Sequence, residues 1–296
     1  MSPSETSDPW TVSRMIAWAA DDFRSKGSDS PRLDAELLLG RILDKDRVAL
    51  IMEAGRPLND DELRAFKQLV VRRRRGEPIA YILGQREFYG HVFRVDKNVL
   101  VPRPDTEILV GLALKETQKN DQFGLALDLC TGSGCVAVSF ALERPNWRVT
   151  ATDLSAGALG VARANAERLG ASWSLNFREG SLFECIAPGT KFDVIVSNPP
   201  YIPSGEIAEL KADIKDFEPR IALDGGPKGF DLVDVIIQQA PNFLAPGGLL
   251  ALEIGAGQAP HTASLMRAQG FVDTASHADY GHIERVVTGR IAERDA

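Results

Sequence analysis

The residues best placed to do chemistry are Asn198-Pro199-Pro200-Tyr201. They follow Phe192-Asp193-Val194-Ile195-Val196-Ser197, a β-branched apolar run that reads as a buried parallel strand. Neither proline has an N–H to give, so the strand must stop there. Asn198 and Tyr201 then stand at the carboxyl edge of a sheet, where open α/β sheets take ligands. A carboxamide, exposed backbone carbonyls and an aromatic ring suit a planar group carrying N–H donors. Alone, Asn-Pro-Pro is as well explained as a Pro-rich turn. A second constellation upstream changes that balance. Leu125–Leu129 reads as a strand that runs into Cys130-Thr131-Gly132-Ser133-Gly134 and then a helix. Glycines there let the backbone approach a ligand, and the helix N-terminus offers free N–H groups. The third glycine of the dinucleotide fingerprint is missing. The next strand ends in Asp153, whose carboxylate can accept both hydroxyls of a ribose. Together these predict an adenosine-type ligand beside an amide-reading strand tip.

The elements that must position these residues follow from periodicity. Helical spacing predicts helices over 11–26, 31–43, 47–53 and 60–74, a small bundle within residues 10–76. Ser30-Pro31 and Asn59 supply the start signals. Leu33, Leu37, Leu38 and Ile42 are expected on one face of the second helix. Residues 1–9 read as disordered. Residues 84–102 change character, and Glu87–Val95 alternates like a hairpin around a Gly turn. Pro102 and Pro104 stiffen the entry to a helix from Glu107 to about Lys119, with Asp105 or Thr106 as its cap. Strands are expected at 125–129, 147–153, 174–178, 192–197 and 249–254, with a terminal pair at 271–275 and 284–290. Helices at 135–143, 155–169, 229–243 and 257–269 fill the crossovers. This alternation demands a mainly parallel sheet covered on both faces. The expected boundaries are residues 1–83 for the helical domain, 84–106 for a hairpin linker and 107–296 for the α/β domain.

Composition bounds the rest. The chain has 296 residues, 44% hydrophobic and 25% charged, with a net charge of −7. That is ordinary for a soluble protein with two cores. No apolar run approaches the ~20 residues of a membrane span, and Met1–Asp8 lacks a secretory pattern. A cytoplasmic location and no membrane partner are expected. The three cysteines, Cys130, Cys135 and Cys185, suit neither a disulfide framework nor a metal site. No metal is expected. His91, His261, His277 and His282 sit in no motif that suggests a general base. The acidic balance speaks against a direct nucleic-acid target. Arg72-Arg73-Arg74-Arg75 reads first as a helix C-terminus complementing the helix dipole and second as a docking patch.

With these residues in hand, the chain resembles the class I S-adenosylmethionine methyltransferases. Val101-Pro102-Arg103-Pro104-Asp105-Thr106-Glu107, Ser197–Ile202, Glu218-Pro219 with Ala222-Leu223-Asp224-Gly225-Gly226, and Glu284-Arg285-Val286-Val287 are similar to motifs of the release factor glutamine methyltransferases, the PrmC/HemK family. The resemblance covers residues 11–290. It implies a Rossmann-like fold with a seven-stranded, mainly parallel sheet and a small N-terminal helical bundle. It implies methylation of the N5 amide of the glutamine in the Gly-Gly-Gln motif of peptide chain release factors. S-adenosyl-L-methionine would be the donor and S-adenosyl-L-homocysteine the product. By the same resemblance Cys130 to Gly134, Asp153 and Asn198 hold the cofactor, with Leu182 near the adenine. Asn198, Pro199, Pro200 and Tyr201 hold the glutamine, with Asn198, Pro199 and Tyr201 catalytic. Arg103 and Glu107 are expected at the site mouth, with Arg103 on the substrate. Within this reading Asn198 Oδ1 and the Pro199 carbonyl accept the two amide hydrogens, and Tyr201 packs on the amide plane. The alternatives are a ribosomal-protein glutamine methyltransferase, an N6-adenine nucleic-acid methyltransferase and a non-catalytic nucleotide-binding adaptor.

Overall fold

The computed structural model describes residues 9–117 and 123–293. The expected disorder at the N-terminus lies, Pro9 aside, outside the described residues, as does the end of the helix expected near Lys119. The chain divides into two compact units, one ending at Gly84 and one beginning at Gln85.

The first unit is helical: α1 (Val12–Ser25), α2 (Pro31–Leu43), α3 (Arg47–Met52), α4 (Asp60–Arg74) and a short α5 (Ile79–Leu83). Asn59 caps α4 through a reciprocal box, its side chain taking the Glu62 N–H while the Glu62 carboxylate takes its own N–H. The core joins Met15, Phe23, Leu38, Leu39 and Phe66. The expected face of α2 needs correcting. Leu33 is exposed, and the buried face carries Ala35, Leu38 and Leu39 together with Asp34 and Glu36. Two acids can be buried because each is paired: Asp34 takes Arg73 at 2.9 Å, and Glu36 takes Arg32 and Arg47, each at 2.8 Å. A hydrophobicity pattern cannot anticipate such pairs. They also account for most of the arginine run. Arg72 binds Glu77, Arg73 binds Asp34 and Arg74 binds Asp22, which leaves Arg75 as the exposed member least engaged.

The second unit opens with the hairpin β1 (Gln85–Phe88) and β2 (His91–Arg94), which turns at Tyr89-Gly90. The hairpin is part of this unit's body rather than a free connector. Phe88 and Phe93 lie in the core beside Leu109 and Trp147, and the Asn165 carboxamide bonds both the N–H and the C=O of Arg94. There follow α6 (Thr106–Glu116), β3 (Leu125–Leu129), α7 (Cys135–Glu143), β4 (Arg148–Asp153), α8 (Ala156–Leu169), β5 (Leu175–Glu179), β6 (Phe192–Ser197), α9 (Ala212–Lys215), α10 (Asp231–Gln239), β7 (Leu244–Glu253), α11 (Ala259–Ala268), β8 (Phe271–Ala278) and β9 (Glu284–Ile291). The sheet has seven strands in the order β5-β4-β3-β6-β7-β9-β8. β9 runs antiparallel to both neighbours, and the first five strands are mutually parallel. Alternate residues of β3 and β6 enter two cores, Ala126, Val194 and Val196 on one face and Leu127, Leu129 and Ile195 on the other. That is why these strands read as continuous apolar runs.

The order reverses between β3 and β6, so the ligand crevice belongs at their carboxyl ends. Leu129 pairs with Thr152 on one side and with Ser197 on the other, and Ser197 pairs with Leu252. The next residues along therefore form one row across the strand tips: Asp153, Cys130, Asn198 and Glu253.

Arg73→Met leaves Asp34 buried without its cation. It should cost the helical unit about 3 kcal/mol in denaturant unfolding, whereas Arg75→Met at an exposed position should cost under about 0.5 kcal/mol.

Candidate active site

The row opens into a cleft with about 1020 Å³ of empty space, its open mouth included. Its lining takes in Cys130, Thr131, Gly132, Ser133, Asp153, Leu182, Asn198, Pro200 and Arg103. The sequence-predicted residues are thus mostly brought together. Four sit elsewhere. Gly134 lies behind the lining, at the N-cap of α7 with φ +78°, and a Cβ there would meet Ala162 Cβ at 3.0 Å. Pro199 and Tyr201 are also outside the lining. The Tyr201 phenol turns toward β7, its hydroxyl 3.5 Å from Glu253 Oε1. Glu107 does not reach the site mouth at all. Its carboxylate accepts the Tyr89 N–H at 2.9 Å and so holds the hairpin turn, where Tyr89 has φ +50°.

The turn after β3 is left-handed at three points: Cys130 (φ +58°), Gly132 (φ +56°) and Gly134. Leu182, across the cleft, has φ +47°. A non-glycine residue held in this region costs roughly 1–2 kcal/mol, and such strain gathers at ligand clamps. The Cys130 and Cys135 thiols are pushed up to about 12, in both cases chiefly by burial. Neither is a nucleophile at neutral pH.

Asp153 is held by backbone. Its Oδ2 accepts the Gly132 N–H and its Oδ1 the Ser155 N–H, both at 2.9 Å. With four lone-pair sites the carboxylate keeps acceptor capacity for a ligand hydroxyl. Burial raises its pKa against these bonds. Asn198 is oriented by a side chain: its Nδ2 donates to Thr106 Oγ1 at 3.1 Å. Oδ1 is the acceptor left to the ligand. Behind the motif, Ile202 bridges Asp224, with Ile202 N–H to Leu223 O at 3.0 Å and Gly225 N–H to Ile202 O at 2.8 Å. Gly225 packs against the motif's own backbone, and a Cβ there would stand 2.7 Å from Tyr201 Cα and 2.8 Å from Pro200 O. This explains why Ala222–Gly226 accompanies Asn198–Tyr201. Arg103, on the cleft wall, bonds the buried Glu218 at 2.7 Å, and Glu218 also takes the Val101 N–H. The proline-rich entry to α6 is thereby tied to the segment after β6.

Sequence reasoning assigned no site role to Asp128, Glu218 or Glu253 and weighed Thr106 only as a helix cap. Asp128 lines the cleft, takes Thr131 Oγ1 at 2.6 Å and is raised to about 7 chiefly by burial. Glu253 is likewise raised to about 7, first by burial. The available signal was an acid inside an otherwise apolar strand pattern, in Leu125–Leu129 and in Leu249–Ile254.

This fold and site define a class I methyltransferase. Residues 14–84 match the family model described as the PrmC N-terminal domain, and residues 106–213 match the methyltransferase small domain. The chain is 42% identical to the release factor glutamine methyltransferase of Geobacter sulfurreducens over 97% of this chain and 99% of that one. It is 40% identical to the protein of the same name from Vibrio cholerae, again over 97% and 99%. The catalytic domain of hMettl16 shares the fold with a TM-score of 0.59 at 14% identity, covering 74% of this chain and 83% of that one. The chain belongs to the release factor glutamine methyltransferase family.

Gly225→Ala should leave secondary structure intact by circular dichroism yet displace the Pro200-Tyr201 backbone, lowering methyl-transfer turnover by about 10²-fold. A second expectation concerns pH. Asp128 and Glu253 bind protons more tightly folded than unfolded, so their contribution to stability falls as pH rises from the ordinary carboxylate range to about 7. Asp128→Asn should flatten that part of the Tm–pH curve.

Proposed function

We propose that this protein transfers a methyl group from S-adenosyl-L-methionine to the N5 amide nitrogen of the glutamine in the Gly-Gly-Gln motif of peptide chain release factors. The observation that carries the reading is the Asn198 carboxamide. It stands between the glycine turn and Glu253, its N–H committed to Thr106 and its Oδ1 left as an acceptor. The near-full-length likeness to relatives of that name supports the choice of substrate.

The residues present fit the cofactor. Asp153 offers a carboxylate with remaining acceptor capacity to a ribose. Cys130 to Ser133 line the cleft, Gly132 bringing bare backbone close to the ligand, and Ser181 with Leu182 forms part of the wall expected at the adenine. The half-buried Asp153 carboxylate on the cleft lining favours a cation there. When bound, the cofactor supplies an electrophilic methyl group on a sulfonium.

A primary amide nitrogen is a poor nucleophile because its lone pair is delocalised into the carbonyl. Asn198 Oδ1 and the Pro199 carbonyl accept its two hydrogens, hold the nitrogen in place and stabilise positive charge as it develops there. Pro200, on the cleft lining, supplies apolar surface that keeps water away, and Tyr201 packs behind it toward β7. Arg103 meets the substrate at the cleft wall. The spare proton leaves after transfer, and no strong base is needed.

The helical unit is assigned to recognition of the substrate protein. Val48, Ile51 and Met52 on α3 are 65%, 66% and 82% exposed, an apolar cluster of the kind that marks an interaction surface. A cytoplasmic location follows from that substrate, and no helix among the described residues is long and apolar enough to cross a membrane.

Tandem mass spectrometry of a release factor incubated with the protein and a labelled donor should place one methyl group on the Gly-Gly-Gln glutamine. Modification at another residue, or of naked oligonucleotide instead, would overturn the assignment. Asn198→Asp, which keeps the shape but brings a charge and no donor for Thr106, should lower the rate on the order of 10²-fold with secondary structure unchanged by circular dichroism. Native turnover in that variant would refute the role of the carboxamide.

A further inference from the structure

Glu218 is a buried acid just behind the cleft wall, with 1% of its side chain exposed. Pro219, Ile221 and Ala222, which follow it, line the cleft. Its two oxygens have separate partners. Oε1 takes Arg103 Nη2 at 2.7 Å, and Oε2 takes the Val101 N–H at 3.3 Å. One carboxylate thus fixes the backbone that enters Pro102 and the side chain that leaves Arg103. Prolines on both sides of Arg103 remove further backbone freedom. The Arg103 carbonyl accepts the Thr106 N–H at 3.1 Å, and Thr106 in turn holds Asn198. One turn of chain therefore presents the guanidinium to the cleft and orients the carboxamide beside it.

A guanidinium carries five N–H donors in a rigid fork. The bond to Glu218 uses one of them, and Arg103 stands on the cleft lining with the others. Its charge is already balanced by the acid behind it. A fork of this kind suits a neutral acceptor. An anion gains less from it, because it meets the Glu218 charge as well. A glutamine inside a polypeptide is flanked by neutral backbone carbonyls. A glutamine that ends a chain carries a carboxylate in the same place.

We infer that Glu218 is a positioning residue that sets specificity in amide methylation: it holds the Arg103 guanidinium on the cleft wall as a charge-balanced fork that donates to a backbone carbonyl beside the target glutamine, and so selects glutamine within a chain over glutamine ending in a carboxylate. This rests on the amide-methylation reading. It adds to that reading the class of acceptor that Arg103 meets and the buried group that decides it.

The test uses the full chain with release factor as substrate and two competing peptides, Gly-Gly-Gln with an amidated end and Gly-Gly-Gln with a free carboxylate. The wild-type protein should be inhibited by the amide at about tenfold lower concentration than by the carboxylate. Glu218→Gln keeps the shape and an acceptor for Arg103 but leaves the guanidinium charge unbalanced. That variant should lose the preference or reverse it, by binding the carboxylate peptide more tightly than the wild-type protein does. Damage to the fold cannot produce such a gain. Arg103→Lys keeps the ion pair but not the fork. Its KM for release factor should rise about tenfold with kcat nearly unchanged, the signature of lost uniform binding, and it carries the test alone if Glu218→Gln does not fold. Inhibition of the wild-type protein by both peptides equally or by neither overturns the proposal. So does a Glu218→Gln protein that keeps the wild-type preference, or an Arg103→Lys protein with native KM. If the wild-type protein methylates no release factor, the activity itself fails and this inference with it, an outcome distinct from any of these.

Discussion

The site depends on the register of four parallel strands. Because Leu129, Thr152, Ser197 and Leu252 stand side by side, the residues that follow them emerge at one level. Side chains alternate between faces along a strand, so a slip of one residue on β6 would carry Asn198 away from Asp153 and Glu253 and send each side chain of that strand into the opposite core. The misfit of Val194, Ile195 and Val196 in the wrong core is what protects the geometry at the tip. The apolar run before Asn198 is thus part of the chemistry: it sets where the carboxamide stands, and the two prolines set where the ladder ends.

Around that row the structure spends buried polar groups on orientation. Asp153 is clamped by backbone N–H groups of the glycine turn and of α8. Asn198 is clamped by Thr106, and Arg103 by Glu218. The last two clamps join the α6 entry to β6 and to the segment after it, residues far apart in the chain. Rotamer freedom is removed before any ligand arrives, which is the form of help the proposed amide methylation calls for.

Much of this was legible in the order of residues. The period-two and apolar runs located all seven strands to within a few positions. Asn198–Tyr201, the glycine turn and Asp153 located the crevice without coordinates, since each sits just past a strand and such tips converge at a topological switch. What escaped was whatever depends on a partner distant in the chain. Glu107 looked like a site residue but serves the hairpin at Tyr89. Asp34 and Glu36, outside the apolar face that periodicity drew on α2, are buried on Arg73 and on Arg32 with Arg47. Glu253 looked like one residue of a strand and stands next to Asn198 in the strand-tip row. Strand β7 begins at Leu244, earlier than its apolar run implies, because a register irregularity opposite Phe192 and Val194 absorbs Pro246-Gly247-Gly248. Pairing of this sort is settled by tertiary structure, on which local periodicity is silent.

The most direct test of the central claim is a crystal structure of the protein with S-adenosyl-L-homocysteine and free glutamine. The account predicts the glutamine carboxamide at the tip of β6, its NH₂ donating to Asn198 Oδ1 and its nitrogen facing the sulfur. A glutamine bound through its carbonyl to Asn198 Nδ2, or lodged away from the strand-tip row with its nitrogen turned from the sulfur, would contradict it.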